Sequence, residues 1–426
     1  MGFGSLTRKQ WLRGILFFAF EFVFIGFMAL YGAHWLSRLG SLGTLAHEYV
    51  MVDVGGGIYV ETIVYHDNSF KILLYSILTM IFIIAFIYTW RLNIRQNKIC
   101  DEIEKAGKQI KTTKDDLKSV LDNQFHKTLL ALPTIGIIVF TVLPIIFMIL
   151  IAFTNYDMNH TPPYNLFNWV GFDNFNQLFG WTGGNGNTFS AAFGEILVWT
   201  LIWAIFATFT NYFLGMGVAM LINKKGIKLK KMWRTILIAT IAVPQFVSLL
   251  FVSKMFSQNG IINTIFGTNI DFWGNPWVAR GLVILINIWI GIPFLMLITT
   301  GILMNIPADL YESSKIDGAS PWKQYSKITL PYMLFVIGPY LLTSFIQNMN
   351  NFNVIYLLTG GGPKVDNSYF SGGTDLLITW LFKLTVDNNN YKLAAVIGIM
   401  VFLVVAIISL IVYNLLPSTK NEEAFQ

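Results

Sequence analysis

The chain has 426 residues, 54% of them apolar and only 12% charged. Soluble chains carry about 25% charge, so this composition excludes an ordinary water-covered globule and leaves lipid to cover part of the surface. The formal net charge of +6 sits in short basic segments between apolar stretches, which is the positive-inside pattern, and no basic patch carries the interleaved base-stacking aromatics of a nucleic-acid reader.

Crossing about 30 Å of hydrocarbon takes about 20 apolar residues. The sequence supplies candidate spans at Trp11–Leu36, Lys71–Trp90, Leu129–Phe153, Ala191–Ile222, Trp233–Phe256, Leu282–Met304, Tyr332–Leu358 and Leu393–Leu416. The first is too long for a signal-peptide core and is read as a retained span. Basic residues fall on one side of this array: Arg8, Lys9 and Arg13; the run from Arg91 to Lys118; Lys224 to Lys231; and Lys315, Lys323 and Lys327. The segment from Asn155 to Ser190 has no Lys or Arg. The rule therefore predicts a multi-pass protein of the cell membrane with both termini cytoplasmic.

Four regions follow: a two-span appendage (1–90), a charged cytoplasmic segment (91–127), a six-span core (128–416) and a cytoplasmic tail (417–426). In the charged segment Ile99, Ile103, Ile110, Leu117 and Leu121 recur at helical spacing. It reads equally as an amphipathic helix or hairpin, weak at Gly107, or as a solvated linker. The single cysteine, Cys100, excludes an internal disulfide and a cysteine-based metal site, and is expected to be a free thiol. The turn formers and aromatics of 155–190 predict a compact cap.

No Walker-type glycine loop, His-Glu-x-x-His or Cys/His cluster is present, which argues against an enzyme. Glu21 is an intramembrane carboxylate without an obvious basic partner, read as a packing group before a functional one. The seventh span is unusual in its amides. Ser344, Gln347, Asn348 and Asn351 fall at i, i+3, i+4 and i+7, one helical face. Neutral amides suit a hydroxyl-rich solute such as a sugar, with Phe345, Phe352 and Tyr356 available to stack on it; the competing reading is that they only join helices. Pro244 and Gly291-Ile292-Pro293 interrupt the fifth and sixth spans, either as packing kinks or because a solute cavity satisfies the freed backbone.

The connection before the seventh span runs Ile306-Pro307-Ala308-Asp309-Leu310-Tyr311-Glu312-Ser313-Ser314-Lys315-Ile316-Asp317-Gly318-Ala319-Ser320-Pro321-Trp322. Pro307 suits a first helical turn, Asp309 and Glu312 the positive end of the helix dipole, and Gly318 a left-handed stop. Ser320 is expected to cap a second short helix beginning at Pro321 and ended by Pro331. Glu312-Ser313-Ser314, then Gly318, then Ile328-Thr329-Leu330-Pro331 resembles the EAA loop of ABC importer permeases, with Ser in place of both Ala.

The resemblance extends from about Val170 to the end. Gly171–Phe175, Asn287–Gly291, Asn350–Phe352, Leu357–Pro363 and Thr374–Leu377 look like the larger permease subunit of maltose/maltodextrin importers. It implies an all-α polytopic fold of eight helices, the type I importer permease fold with two extra N-terminal helices. It implies a coupling loop at 305–331, with Tyr311, Glu312, Ser313, Ser314, Asp317 and Gly318 meeting an ATPase. It implies sugar contacts at Gln245, Ile290, Gly291, Phe294, Ser344, Gln347, Asn348 and Asn351. Phe294 and Ile241 stand where that subunit has tyrosines, so the sugar is open: maltodextrin, a galacto-oligosaccharide or a cyclodextrin. The implied partners are a second permease subunit, two ATPase subunits that carry the ATP and Mg, an extracellular sugar-binding protein, membrane lipid and the oligosaccharide. No cofactor, metal or catalytic residue is expected on this chain. A membrane-embedded sugar-handling enzyme and a secondary carrier are the distant alternatives.

Overall fold

Among the described residues, seven helices are each long and apolar enough to cross a membrane, and a helix pair bent through 88° makes the number eight if it is counted as one span. The computed structural model describes residues 1–55, 58–107, 109–110, 112–115, 118, 122, 124–181, 185–224, 226–365 and 369–416. Of the features read from sequence, Lys108, Lys111, Leu117, Leu121, Lys225 and the tail 417–426 lie outside the described residues. The chain divides into two compact units, one of Met1–Asn174 with Asn390–Ala395, the other of Phe175–Asn389 with Val396–Gln426.

In the first unit the helix Trp11–Arg38 lies against the helix Ser69–Lys105. Phe24 stacks on Phe86 with centroids 3.8 Å apart, and Phe20 and Phe27 meet Phe82 edge-on. Aromatic pairs of this kind add to simple burial. The amino group of Met1 stands against the Glu21 carboxylate. Asn68 caps the second helix by accepting from the Lys71 amide at 3.1 Å, as a short polar side chain does at an N-terminus. That helix does not stop at Trp90. It runs 37 residues in all, from Ser69 to Lys105, and Gly107 at φ +68° follows its end. Arg8 holds its distal part through Asn97 at 2.8 Å and through Asp101. Cys100 is buried and unbridged.

One element escapes an all-α reading. Glu48–Asp53 pairs antiparallel with Tyr59–Val64, in register from Glu48↔Val64 to Asp53↔Tyr59. The connection after the third span is ordered by its own side chains. Phe167 is fully buried, Asn174 donates to the Ala152 and Thr154 carbonyls at 2.8 and 2.7 Å, and the Trp169 indole donates to the Leu39 carbonyl.

The second unit is built on Thr188–Asn223 and Pro276–Leu303. They approach closely at Gly215, where a Cβ would lie 2.8 Å from Leu295; small residues permit such approach in membranes. Trp199, Trp203, Leu249, Ile286, Val354 and Ile355 form the buried core between them and the half-helices Gln245–Met255 and Phe352–Thr359.

The interruption expected at Pro244 divides the fifth span into two helices, Lys230–Ala242 and Gln245–Met255. Two expectations about helix limits are corrected here. The helix expected to begin at Pro321 and end at Pro331 does not end: it runs on through a π turn, Tyr325–Thr329, to Met349. Pro331 is tolerated because it sits where Leu330 reopens the α-helix just after the wider turn. At the far end the helix stops at Met349, and Asn351 caps the next helix by accepting from the Val354 amide. A capping amide competes successfully with helix continuation, so Asn351 leaves the helical face that its spacing from Ser344 suggests.

Candidate functional site

Pro244 has no amide hydrogen and disfavours a helical conformation in the residue before it. Val243 accordingly turns extended, at φ −77° and ψ 125°, and the helix restarts at Gln245 after an 88° bend. Across from the break, Pro293 sits inside Pro276–Leu303, which leaves the Trp289 carbonyl without its usual amide donor. Between the two interruptions lies a cavity of about 500 Å³, lined by Leu237, Thr240, Ile241, Val243, Pro244, Gln245, Ser248 and the run Trp289–Phe294. Ligand pockets fall in this size range.

Four of the expected contact residues, Gln245, Ile290, Gly291 and Phe294, line this cavity together. Its polar groups are an amide and two hydroxyls, and Trp289 and Phe294 present exposed rings. No lining side chain is ionisable. Ile241 and Phe294 both line it, so the two missing tyrosine hydroxyls are missing from the wall itself.

The other four do not line it. Gln347 is exposed and Ser344 half-buried on Pro321–Met349. Asn348 donates to the Thr208 hydroxyl at 3.0 Å, and its carbonyl accepts from the indole of the buried Trp203 at 3.1 Å. Asn351 donates to the Asn348 side-chain oxygen at 3.3 Å while it caps its own helix. Asn348 and Asn351 thus make side-chain bonds between helices in this structure.

Two residues of the site escaped sequence reading. Trp289 supplies an exposed indole 58% accessible in the chain. Asn211 lies behind Gly291, where a Cβ would stand 2.3 Å from its amide nitrogen. It donates to the Ala207 carbonyl at 2.8 Å, and its side-chain oxygen is buried without a partner. An asparagine near the middle of the fourth span was the available signal.

The loop residues form a second surface. Ala308–Ile316 is helical, with Pro307 as its N-cap rather than its first turn, and Asp309 in the first turn. Gly318 adopts φ +74°; its amide reaches the Lys315 carbonyl at 3.0 Å and that of Ala319 the Ser314 carbonyl at 2.9 Å, the paired bonds of a Schellman stop. Ser320 caps the next helix through the Lys323 amide. Glu312, Ser313, Asp317 and Gly318 are exposed, and Tyr311 and Ser314 turn inward. Ile316, at the end of the Ala308–Ile316 helix, is 87% accessible and Trp322, in the next, 72%, exposed apolar side chains of the kind that mark a protein contact.

Comparison with known proteins matches residues 211–421 to the family described as binding-protein-dependent transport system inner membrane component. The galactooligosaccharides transport system permease protein of Bacillus subtilis is 33% identical over 99% of this chain and 96% of its own. The maltodextrin transport system permease protein of Streptococcus pneumoniae is 32% identical over 99% and 95%. Among solved structures, a bacterial ABC transporter that imports the acidic polysaccharide alginate shares the fold, with a TM-score of 0.55 and 22% identity over 70% of this chain and 97% of its own.

Proposed function

Given that the chain belongs to the binding-protein-dependent inner membrane transport family, as a sugar ABC transport permease, we propose that the cavity between Pro244 and Phe294 is where it holds an oligosaccharide in passage. The family transports and does not catalyse. The observation that carries the reading is the cavity's chemistry: amide and hydroxyl groups, exposed aromatic rings and no ionisable side chain. Aromatic faces suit pyranose rings, and neutral donors and acceptors suit hydroxyls. A charged substrate would be left without a counter-charge.

In this reading the chain forms half of a pore with a second permease subunit. Two ATPase subunits bind ATP and Mg, and one of them receives the Tyr311–Gly318 helix. An extracellular binding protein delivers the sugar, and both termini are cytoplasmic. The mechanism is alternating access, with ATPase closure biasing the equilibrium between two states. Maltodextrin is the leading substrate. The galactooligosaccharide relative is as close in identity as the maltodextrin one, so the assay takes both.

The test is uptake of labelled maltotriose and galactotriose into liposomes holding the assembled transporter. ATP-dependent uptake of one of them supports the reading. Equal uptake without ATP overturns it in favour of a secondary carrier, and loss of neither sugar's uptake on Gln245→Ala or Trp289→Ala removes the cavity from the pathway.

A further inference from the structure

We propose that Gln324 is a positioning residue that clamps the Ala308–Ile316 helix to the base of the Pro321–Met349 helix, so that the two move as one body. The inference rests on the reading that this loop meets an ATPase.

The short helix has no buried residue of its own, and nine residues are too few to hold a helix by backbone bonds alone. What fixes it is polar. The Gln324 side-chain amide donates to the Tyr311 carbonyl at 3.0 Å and to the Ser314 hydroxyl at 2.7 Å. The Ser314 hydroxyl donates in turn to the Tyr311 carbonyl at 2.9 Å. The Tyr311 hydroxyl pairs with the Thr329 hydroxyl at 2.8 Å. Gln324 and Thr329 flank and close the π turn Tyr325–Thr329, so the clamp grips the long helix on both sides of its widest point.

Ser314 stands where the resembled loops have Ala. Alanine offers no acceptor, so the hydroxyl that Gln324 uses is a feature of this chain, and the two residues work as a pair. A clamp converts displacement of the short helix into displacement of the long one. Without it the short helix swivels about Gly318, and ATPase closure is spent on that swivel.

The assembled transporter in liposomes provides the test, with Gln324→Ala, Ser314→Ala, their combination, and Ser314→Thr, which keeps the hydroxyl. Sugar taken up per ATP hydrolysed should fall at least threefold in Gln324→Ala and less in Ser314→Ala. The combination should match Gln324→Ala, and Ser314→Thr should behave as wild type. Amide hydrogen exchange over Ala308–Ile316 should quicken about tenfold in Gln324→Ala, as local opening becomes easier. An unchanged uptake ratio in Gln324→Ala, or effects of the two single substitutions that multiply, overturns the proposal. Unchanged exchange overturns it whether or not the wild type pumps sugar. Faster exchange in a wild-type background that pumps no sugar with ATP upholds the clamp and overturns the transport reading alone. Should Gln324→Ala fail to assemble, Ser314→Ala against Ser314→Thr decides by the same two readouts.

Discussion

Asn348 donates its side-chain amide to the hydroxyl of Thr208 at 3.0 Å, which bolts the end of the Pro321–Met349 helix to the π turn Phe206–Thr210. Thr208 is 1% exposed. Asn348→Ala therefore strands a buried hydroxyl, at a cost of about 1–3 kcal/mol. The unfolding midpoint of the purified transporter should drop. Gln347→Ala, one residue away and exposed, should leave the midpoint unchanged. If Asn348→Ala shifts only the sugar concentration dependence and not the midpoint, the amide serves the solute instead.

Gly291→Ala places a methyl 2.3 Å from the Asn211 amide nitrogen. Overpacking of this kind costs about 1–3 kcal/mol, and it displaces a wall of the cavity. Uptake should slow at least fivefold, a loss of about 1 kcal/mol in the barrier. Removing the obstructing amide with Asn211→Ala in the same chain should restore uptake to within about twofold, since neighbouring sites couple. A double variant no better than Gly291→Ala would show that the glycine serves the solute directly and not the helix contact.

Much of this architecture was legible in the sequence. Span count follows from hydropathy, and the stop at Gly318 and cap at Ser320 follow from local backbone chemistry that needs no distant partner. What was hidden depended on neighbours far along the chain. Asn351 kept helical spacing with Ser344 but its amide captured the Val354 N–H, a local competition that periodicity does not see. Asn348 announced polarity, and only the fold shows that Thr208, 140 residues away, receives it. The Glu48–Val64 hairpin lay unread between two strong helical signals. Gln324 carries no motif at all; its importance comes from where Tyr311 and Ser314 are brought.

Asp157 accepts from Lys392 at 2.7 Å and pairs with the His160 ring at 2.8 Å. Burial works to raise its carboxyl, and the hydrogen bonds and charges of Lys392 and His160 outweigh it, holding the group below the usual carboxylate range. A depressed carboxylate stabilises the fold above its unfolded value of 3.8, and that contribution disappears as pH falls through the lower folded value. The unfolding midpoint should fall as pH is lowered from about 3.8 through that folded value. Asp157→Asn should lose about 1–3 kcal/mol at neutral pH and lack that acidic limb. An identical acid profile in the two proteins would place the carboxylate's partners elsewhere.

Gly318 has open space around it, so its constraint is φ +74° and not crowding. A β-branched residue there meets a left-handed cost of about 1–2 kcal/mol. Gly318→Val should leave the chain in the membrane and cut uptake at least tenfold, with Gly318→Ala milder. Glu312→Ala, which removes an exposed carboxylate, should likewise abolish uptake and lower ATP hydrolysis. Wild-type uptake in both variants would remove this loop from the coupling path.

The unbroken run from Pro321 to Met349 has 29 residues and is about 44 Å long. Treated as a rod, a tilt of about 5° at its Pro321 end carries the Met349 end about 4 Å, more than the length of a hydrogen bond. The Asn348–Thr208 bond thus gauges the angle of the rod, and the Gln324 contacts gauge the grip on it. A state that keeps one set of bonds and breaks the other has bent the rod, and it has two weak points at which to bend: the π turn Tyr325–Thr329 and Pro339.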